Sequence, residues 1–142
     1  MTSTRSHFEA LFASLVERVG PLSPKTHTAI VGFGAGGPVS MSQVEGQQAF
    51  VTCELSIYPE QVPSSEGERF ELLCRLPLAE DQVQDLLTGL GALSMEAELG
   101  DGHTIDVSAF EIRPSRTVVR LSHFSSAVVN GEKFGIYEVM LA

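Results

Sequence analysis

The sequence predicts an α+β fold: a mixed or mostly antiparallel sheet of about five to seven strands, packed with two main helices in a single domain over residues 1–142. Three observations carry this expectation. Two stretches place apolar residues at helical spacing. Two others alternate apolar and polar residues, as half-buried strands do. An Asn-Gly pair ahead of a long apolar run marks a hairpin near the end of the sequence.

The first helix is expected over residues 6–19. Ser6-His7-Phe8-Glu9 reads as a capping box, a hydroxyl at the N-cap with a carboxylate one turn on. Phe8, Leu11, Phe12, Leu15, Val16 and Val19 then share one helical face, and Gly20-Pro21 ends the element. Thr28 to Phe33 reads as a short apolar strand, followed by a glycine-rich segment and a polar run to Gln48 with little periodicity. Ala49 to Tyr58 alternates, with Val51, Cys53, Leu55 and Ile57 facing one way. Pro59 to Glu68 has the composition of a surface loop, and Phe70 to Leu76 alternates again. These two strands are expected to form an antiparallel pair.

Pro77 stops the second strand, and Glu80 and Asp81 suit a helix N-terminus. Val83, Leu86, Leu87 and Leu90 form the apolar face of the second helix, which Gly89 weakens and Gly91 is expected to end. Asp101-Gly102 is a turn. Two more strands are expected at Thr104–Ile112 and Thr117–Phe124, separated by Arg113-Pro114-Ser115-Arg116. Asn130-Gly131 joins Ala127–Val129 to a final strand, Phe134–Leu141. As an open sheet edge, that strand would permit homodimerisation.

Composition excludes several functions. With 18 acidic and 9 basic residues the net charge is −9, the opposite of what phosphate neutralisation by a nucleic-acid binder requires. No stretch approaches the ~18 apolar residues of a membrane span. Met1 to Arg5 shows no secretory leader, so a cytoplasmic location is expected. Cys53 and Cys74 are then free, buried thiols, although neighbouring strands would bring them within disulfide reach.

Motifs that would carry chemistry are weak. Gly32-Phe33-Gly34-Ala35-Gly36-Gly37 matches the dinucleotide fingerprint, with Glu54 near the place of a ribose-binding acid. A helix must start within those glycines, yet Pro38 to Gly46 has no helical apolar stripe, so the run reads as a turn or bulge. His7, His27, His103 and His123 show no metal-ligand spacing. Asp101, His103 and Asp106 form a polar cluster without an evident fourth ligand. No G-x-S-x-G elbow accompanies the many serines. The expectation is therefore no enzyme, no cofactor and no metal.

Two runs in order, Glu71-Leu72-Leu73-Cys74-Arg75-Leu76-Pro77 and Gly102-His103-Thr104-Ile105, stand on either side of a helix with paired Leu86-Leu87. Thr52-Cys53-Glu54-Leu55-Ser56 precedes them and the apolar run Phe134–Leu141 follows. In this order the set resembles the suppressor-of-fused-like domain, over residues 26–141. The resemblance implies an α+β domain that recognises another protein. Stand-alone bacterial domains of this kind look like immunity proteins, which neutralise a toxin. An acidic chain would steer towards a basic protein partner. An acidic secretion-type chaperone is the alternative, and a small-molecule binder using Gly32–Gly37 comes after it. Candidate interaction residues are Glu66 in the 59–68 loop and Asp101, Gly102, His103 and Thr104 at the turn, because loops carry function more often than core strands.

Overall fold

The computed structural model describes residues 4–27, 39–58, 60–106, 118–129 and 131–141. The expected strand at 28–33, the Gly32–Gly37 run, the 113–116 connector and Asn130 lie outside them. The elements run α1 (Thr4–Val19), β1 (Leu22–His27), β2 (Met41–Val44), β3 (Phe50–Thr52), a 3-10 turn (Leu55–Ile57), β4 (Arg69–Cys74), α2 (Glu80–Ser94), β5 (Thr104–Asp106), β6 (Val118–Val129) and β7 (Glu132–Leu141). One seven-stranded sheet has the order β1-β2-β3-β4-β7-β6-β5. Among the described residues only β4 and β7 pair in parallel, and the other five pairings are antiparallel. The α+β expectation with a mixed sheet is met.

Alternation along the central strands gives each face of the sheet its own core. Phe70, Leu72 and Cys74 of β4, with Tyr137 and Val139 of β7, pack under Val83, Leu86, Leu87 and Leu90 of α2. Leu73 of β4, with Phe134 and Ile136 of β7, packs under Leu11 and Leu15 of α1. The helices thus cover opposite faces. Burying each of these side chains stabilises the fold by roughly 1.5–3 kcal/mol.

Several boundaries differ from expectation. Helix α1 begins at Thr4, placing Ser6 inside the first turn. Helix α2 does not end at Gly91 but runs to Ser94. Leu90, Gly91 and Ser94 are all buried there, and Ser94 Oγ donates to Gly91 O at 2.6 Å. Packing outweighs the roughly 1 kcal/mol that a mid-helix glycine costs. Strand β2 lies in the run that showed no periodicity: Met41, Ser42 and Val44 are all buried, so alternation is lost. The predicted strands 117–124 and 127–129 are one strand, β6, with an irregular register between His123 and Ser125. The hairpin is as expected, with Val129 facing Glu132 across the turn and Gly131 at φ 83°.

The final strand is not an edge. Strand β7 is enclosed by β4 and β6, so its backbone groups are already paired and homodimerisation through it has no template. Among the described residues the outermost strands are β1 and β5. The cysteines are free and buried in different clusters, Cys53 with the α1 side and Cys74 with the α2 side. Burial pushes their thiols up to about 12 and about 11.

The long strand expected at 49–58 stops at Thr52 because of Glu71. This β4 carboxylate is wholly buried. It accepts from Thr52 Oγ1 at 2.7 Å, Leu55 N at 3.1 Å, Ser56 N at 2.6 Å and Ser56 Oγ. Thr52 Oγ1 in turn accepts from Leu72 N at 2.8 Å, replacing a ladder bond. The carboxylate therefore draws the chain after β3 into the 3-10 turn instead of letting the ladder continue. Burial pushes Glu71 up to about 7 despite these four donors.

This shift has a sign. Above pH ~7 the folded state bears the full cost of an ionised buried carboxylate. As pH falls from about 7 to about 4.5, the folded state takes up a proton that the unfolded state does not, and this group adds about 3 kcal/mol of stability. Below that window both states are protonated and the gain is constant. Glu71→Gln lacks the titration, so the stability difference should shift in favour of wild type by that amount from pH 7 to 4.5 in urea denaturation. A gap independent of pH would show that Glu71 titrates normally.

Candidate functional site

The parallel β4–β7 pair brings two loops against the N-terminal end of β7. Glu68 lies just before β4 with its side chain 4% exposed. Its carboxylate accepts weakly from Ser126 Oγ at 3.3 and 3.4 Å, and stands 3.7 Å from His123 Nε2 and 3.6 Å from Lys133 Nζ. The irregularity in β6 places His123 and Ser126 together, with Nε2 and Oγ 2.9 Å apart. Tyr137 stacks edge-on between Phe70 and His123, at ring distances of 5.2 and 5.4 Å. Its hydroxyl lies 2.8 Å from Glu66 Oε2 and 3.1 Å from Ser64 Oγ. The phenol has a single proton, which goes to the charged Glu66. That bond, with a second from Ser65, holds the Glu66 carboxyl below its usual range, while burial pushes the Tyr137 phenol up.

Serine, histidine and glutamate are close here, but not as a hydrolytic triad. Such a triad needs the nucleophile and the orienting acid on opposite ring nitrogens. Both Ser126 and Glu68 meet the same nitrogen, Nε2. Ser126 also pairs with Gly135 in the β6–β7 ladder. The cluster ties the 61–68 loop, β6 and β7 together. Gly135 makes this fit: a Cβ there would lie 2.3 Å from Glu68 Oε1.

The turn before β5 closes on the same region. Asp101 Oδ1 accepts from His123 N at 2.8 Å. Gly102 N donates to Leu121 O at 2.7 Å, and Leu121 N donates to His103 O at 2.9 Å, continuing the β5–β6 ladder. Gly102 takes φ 82°, which favours glycine. Gly100 is needed for another reason, since a Cβ would meet Ser65 Oγ at 1.9 Å and Ser65 Cβ at 2.9 Å. The two loops are zipped at that contact by Ser65 N donating to Leu99 O at 3.0 Å.

The sequence-derived candidates thus divide. Glu66 and Asp101 join the His123–Tyr137 cluster. Gly102, His103 and Thr104 line a surface groove of about 630 Å³ with Leu93, Glu98, Leu99, Ile105 and Asp106. Asp101, His103 and Asp106 do not converge: Asp101 turns to β6, while the other two line the groove. Among the described residues no group of three His, Cys, Asp or Glu is placed to hold a metal. Sequence reasoning missed Glu68, His123, Ser126 and Tyr137 because they come from three separate segments. The one signal was the polar run Ser122-His123 and Ser125-Ser126 interrupting an apolar strand, which marks the irregularity in β6.

Charge along one stretch of the sequence has a single sign. Between Arg75 and Arg113 the sequence has no Lys or Arg. Within that stretch Glu80, Asp81, Asp85, Glu96, Glu98, Asp101 and Asp106 are all exposed, on α2, the connection into β5 and the end of β5. Arg69, Arg75 and Lys133, by contrast, stand beside Glu132, Glu138 and Glu68.

The sequence model of the suppressor of fused protein (SUFU) family matches residues 36–139. The chain belongs to this family. A search of curated proteins finds no match. Among solved structures, this SUFU-family chain is similar to one described as the Sufu-Fu complex crystal structure, with a TM-score of 0.60 and 12% identity, covering 95% of this chain and 73% of that one. At that identity the likeness shows a shared fold. The family match lies within the 26–141 region identified from sequence motifs and includes the Glu71–Pro77 and Gly102–Ile105 runs.

The loop contact is directly testable. Gly100→Ala should cost about 1–3 kcal/mol through overpacking against Ser65. Adding Ser65→Gly should recover most of that loss in a double-mutant cycle by chemical denaturation. Additive effects would mean that the two loops do not meet there.

Proposed function

We propose that this chain is a non-catalytic protein-binding module that sequesters a basic protein partner, an immunity-type inhibitor of the stand-alone bacterial kind within the SUFU family. The observation that carries this reading is the acidic stretch of chain from α2 through β5. Seven exposed carboxylates lie there with no Lys or Arg in the same stretch of chain. A surface of this kind raises the encounter rate with a basic protein and repels nucleic acid and anionic membranes. The shared fold supports the reading, because the similar solved structure is a complex of Sufu with Fu. Among the described residues no helix is long and apolar enough to cross a membrane. A cytoplasmic setting, with the whole chain acting as one domain, suits an inhibitor that meets its target before the target does harm.

The test is an affinity capture from the native cells, with salt raised in steps and bound proteins identified by mass spectrometry. One basic protein should be retained at low salt and released as salt rises, since screening weakens charge steering. Purified together, the two should form a stoichiometric complex in which the partner's activity is suppressed. Recovery of no partner, or of one whose binding is indifferent to salt, would refute the reading.

A further inference from the structure

We propose that the surface pocket beside the β6–β7 hairpin binds a small organic anion, a carboxylate or phosphate group carried on a short apolar chain. The pocket, of about 320 Å³, is lined by Arg18 of α1, by Ser126, Ala127 and Val128 of β6, and by Lys133 of β7. That volume is at the lower end of the range for small-molecule sites, which suits a ligand of a few carbon atoms. The site uses none of the residues of the acidic stretch and does not rest on the reading above.

Charge names the head group. In a chain of net charge −9, the charged residues lining this pocket, among those described, are both cations. They come from different elements, so an anion gains two points of attachment. Arg18 is exposed and has no ion pair among the described residues. At the end of α1, Gly20 N already donates to Val16 O at 3.0 Å, which leaves the guanidinium fork for a carboxylate or phosphate. Lys133 Nζ is 3.6 Å from Glu68 Oε2, yet the lysine side chain is 67% exposed against 4% for Glu68. An ammonium has three donors, so it can hold the buried carboxylate and still meet a ligand in solvent. Glu132 does not compete: alternation turns it to the other face, where it stands 3.8 Å from Arg69.

The apolar part follows from Val128, which is 65% exposed, against 37% for each of Val118, Phe124 and Met140. Its register partner is Lys133, so the apolar side chain and the ammonium stand side by side on one face. The backbone adds a donor. Strand β5 pairs only with Val118 to Arg120, and among the described residues no strand lies beside 124–129 on that side. Val129 and Glu132 close the hairpin as a hydrogen-bonded pair, so the N–H of Val128 points away from β7. A cationic ligand would be repelled here, and a bare inorganic anion would leave Val128 wet. An anion with a short apolar group uses both.

The experiment titrates the full-length protein, at constant ionic strength, with isovalerate, isobutyl phosphate and the neutral isovaleramide, and follows the backbone amides by NMR. The amides of Val128 and Lys133 should shift saturably with at least one of the two anions and not with the amide. The tighter anion identifies carboxylate or phosphate as the preferred head group. Arg18→Gln should weaken its binding about tenfold, the loss of one charge-assisted hydrogen bond. Arg120→Gln removes the same charge beside β5 and should bind as wild type does. No saturation with either anion, equal saturation with isovaleramide, or undiminished binding to Arg18→Gln would overturn the proposal. A dimer in light scattering that is lost in Arg18→Gln would also overturn it, by assigning the pocket to a second copy.

Discussion

The parallel pairing of β4 with β7 is the constraint on which the rest of the structure depends. Its register runs from Arg69 against Phe134 to Cys74 against Val139. A parallel neighbour cannot follow through a tight turn, so the chain must cross over between the two strands. Helix α2, β5 and β6 are that crossover. Because β4 and β7 lie mid-sheet, both of their faces are buried, and each needs its own helix. The two cores and their helices on opposite faces follow from this one pairing.

Burying both faces has a second consequence. Polar residues on these strands are forced inside, and each must find partners. Glu71 meets this demand by ending a neighbouring strand early and collecting Leu55 and Ser56 as donors. Glu68 meets it at the end of β4, where the irregular register of β6 supplies Ser126 and His123. At the other end Glu138 of β7 is partnered by the exposed Arg75, just past β4, through two bonds of 2.7 and 2.6 Å, with Phe124 beneath the guanidinium. These groups add little net stability over apolar substitutes, because desolvation offsets most of their attraction. They do penalise any other register, in which the same charges would lie buried and unpaired.

The crossover also separates charge. The basic side chains described around β4 and β7 stand beside carboxylates, while α2 and the connection after it carry acids alone. The chain from α2 to β5 is therefore acidic, and the groove at the end of α2 lies along it. Fold and electrostatics meet there: the turn through Gly100 and Gly102 that completes the β5–β6 ladder also forms one wall of the groove.

The sequence by itself determined the fold class, both helices, the β4 strand, the Asn-Gly hairpin, the acidic character and the family. These are carried by local patterns: the helical stripe of Leu11 and Leu15, the alternation of Phe70, Leu72 and Cys74, and the ordered motifs around Gly102-His103. Only the tertiary structure decided where Phe50–Thr52 stops, that α2 continues through Gly91, that β7 is central, and that Glu68, His123, Ser126 and Tyr137 meet. The physical reason is the same in each case. Periodicity records which faces are apolar, but not which strand lies alongside. Strand neighbours, and the fate of a buried carboxylate such as Glu71, depend on donors many residues away, which no local pattern encodes.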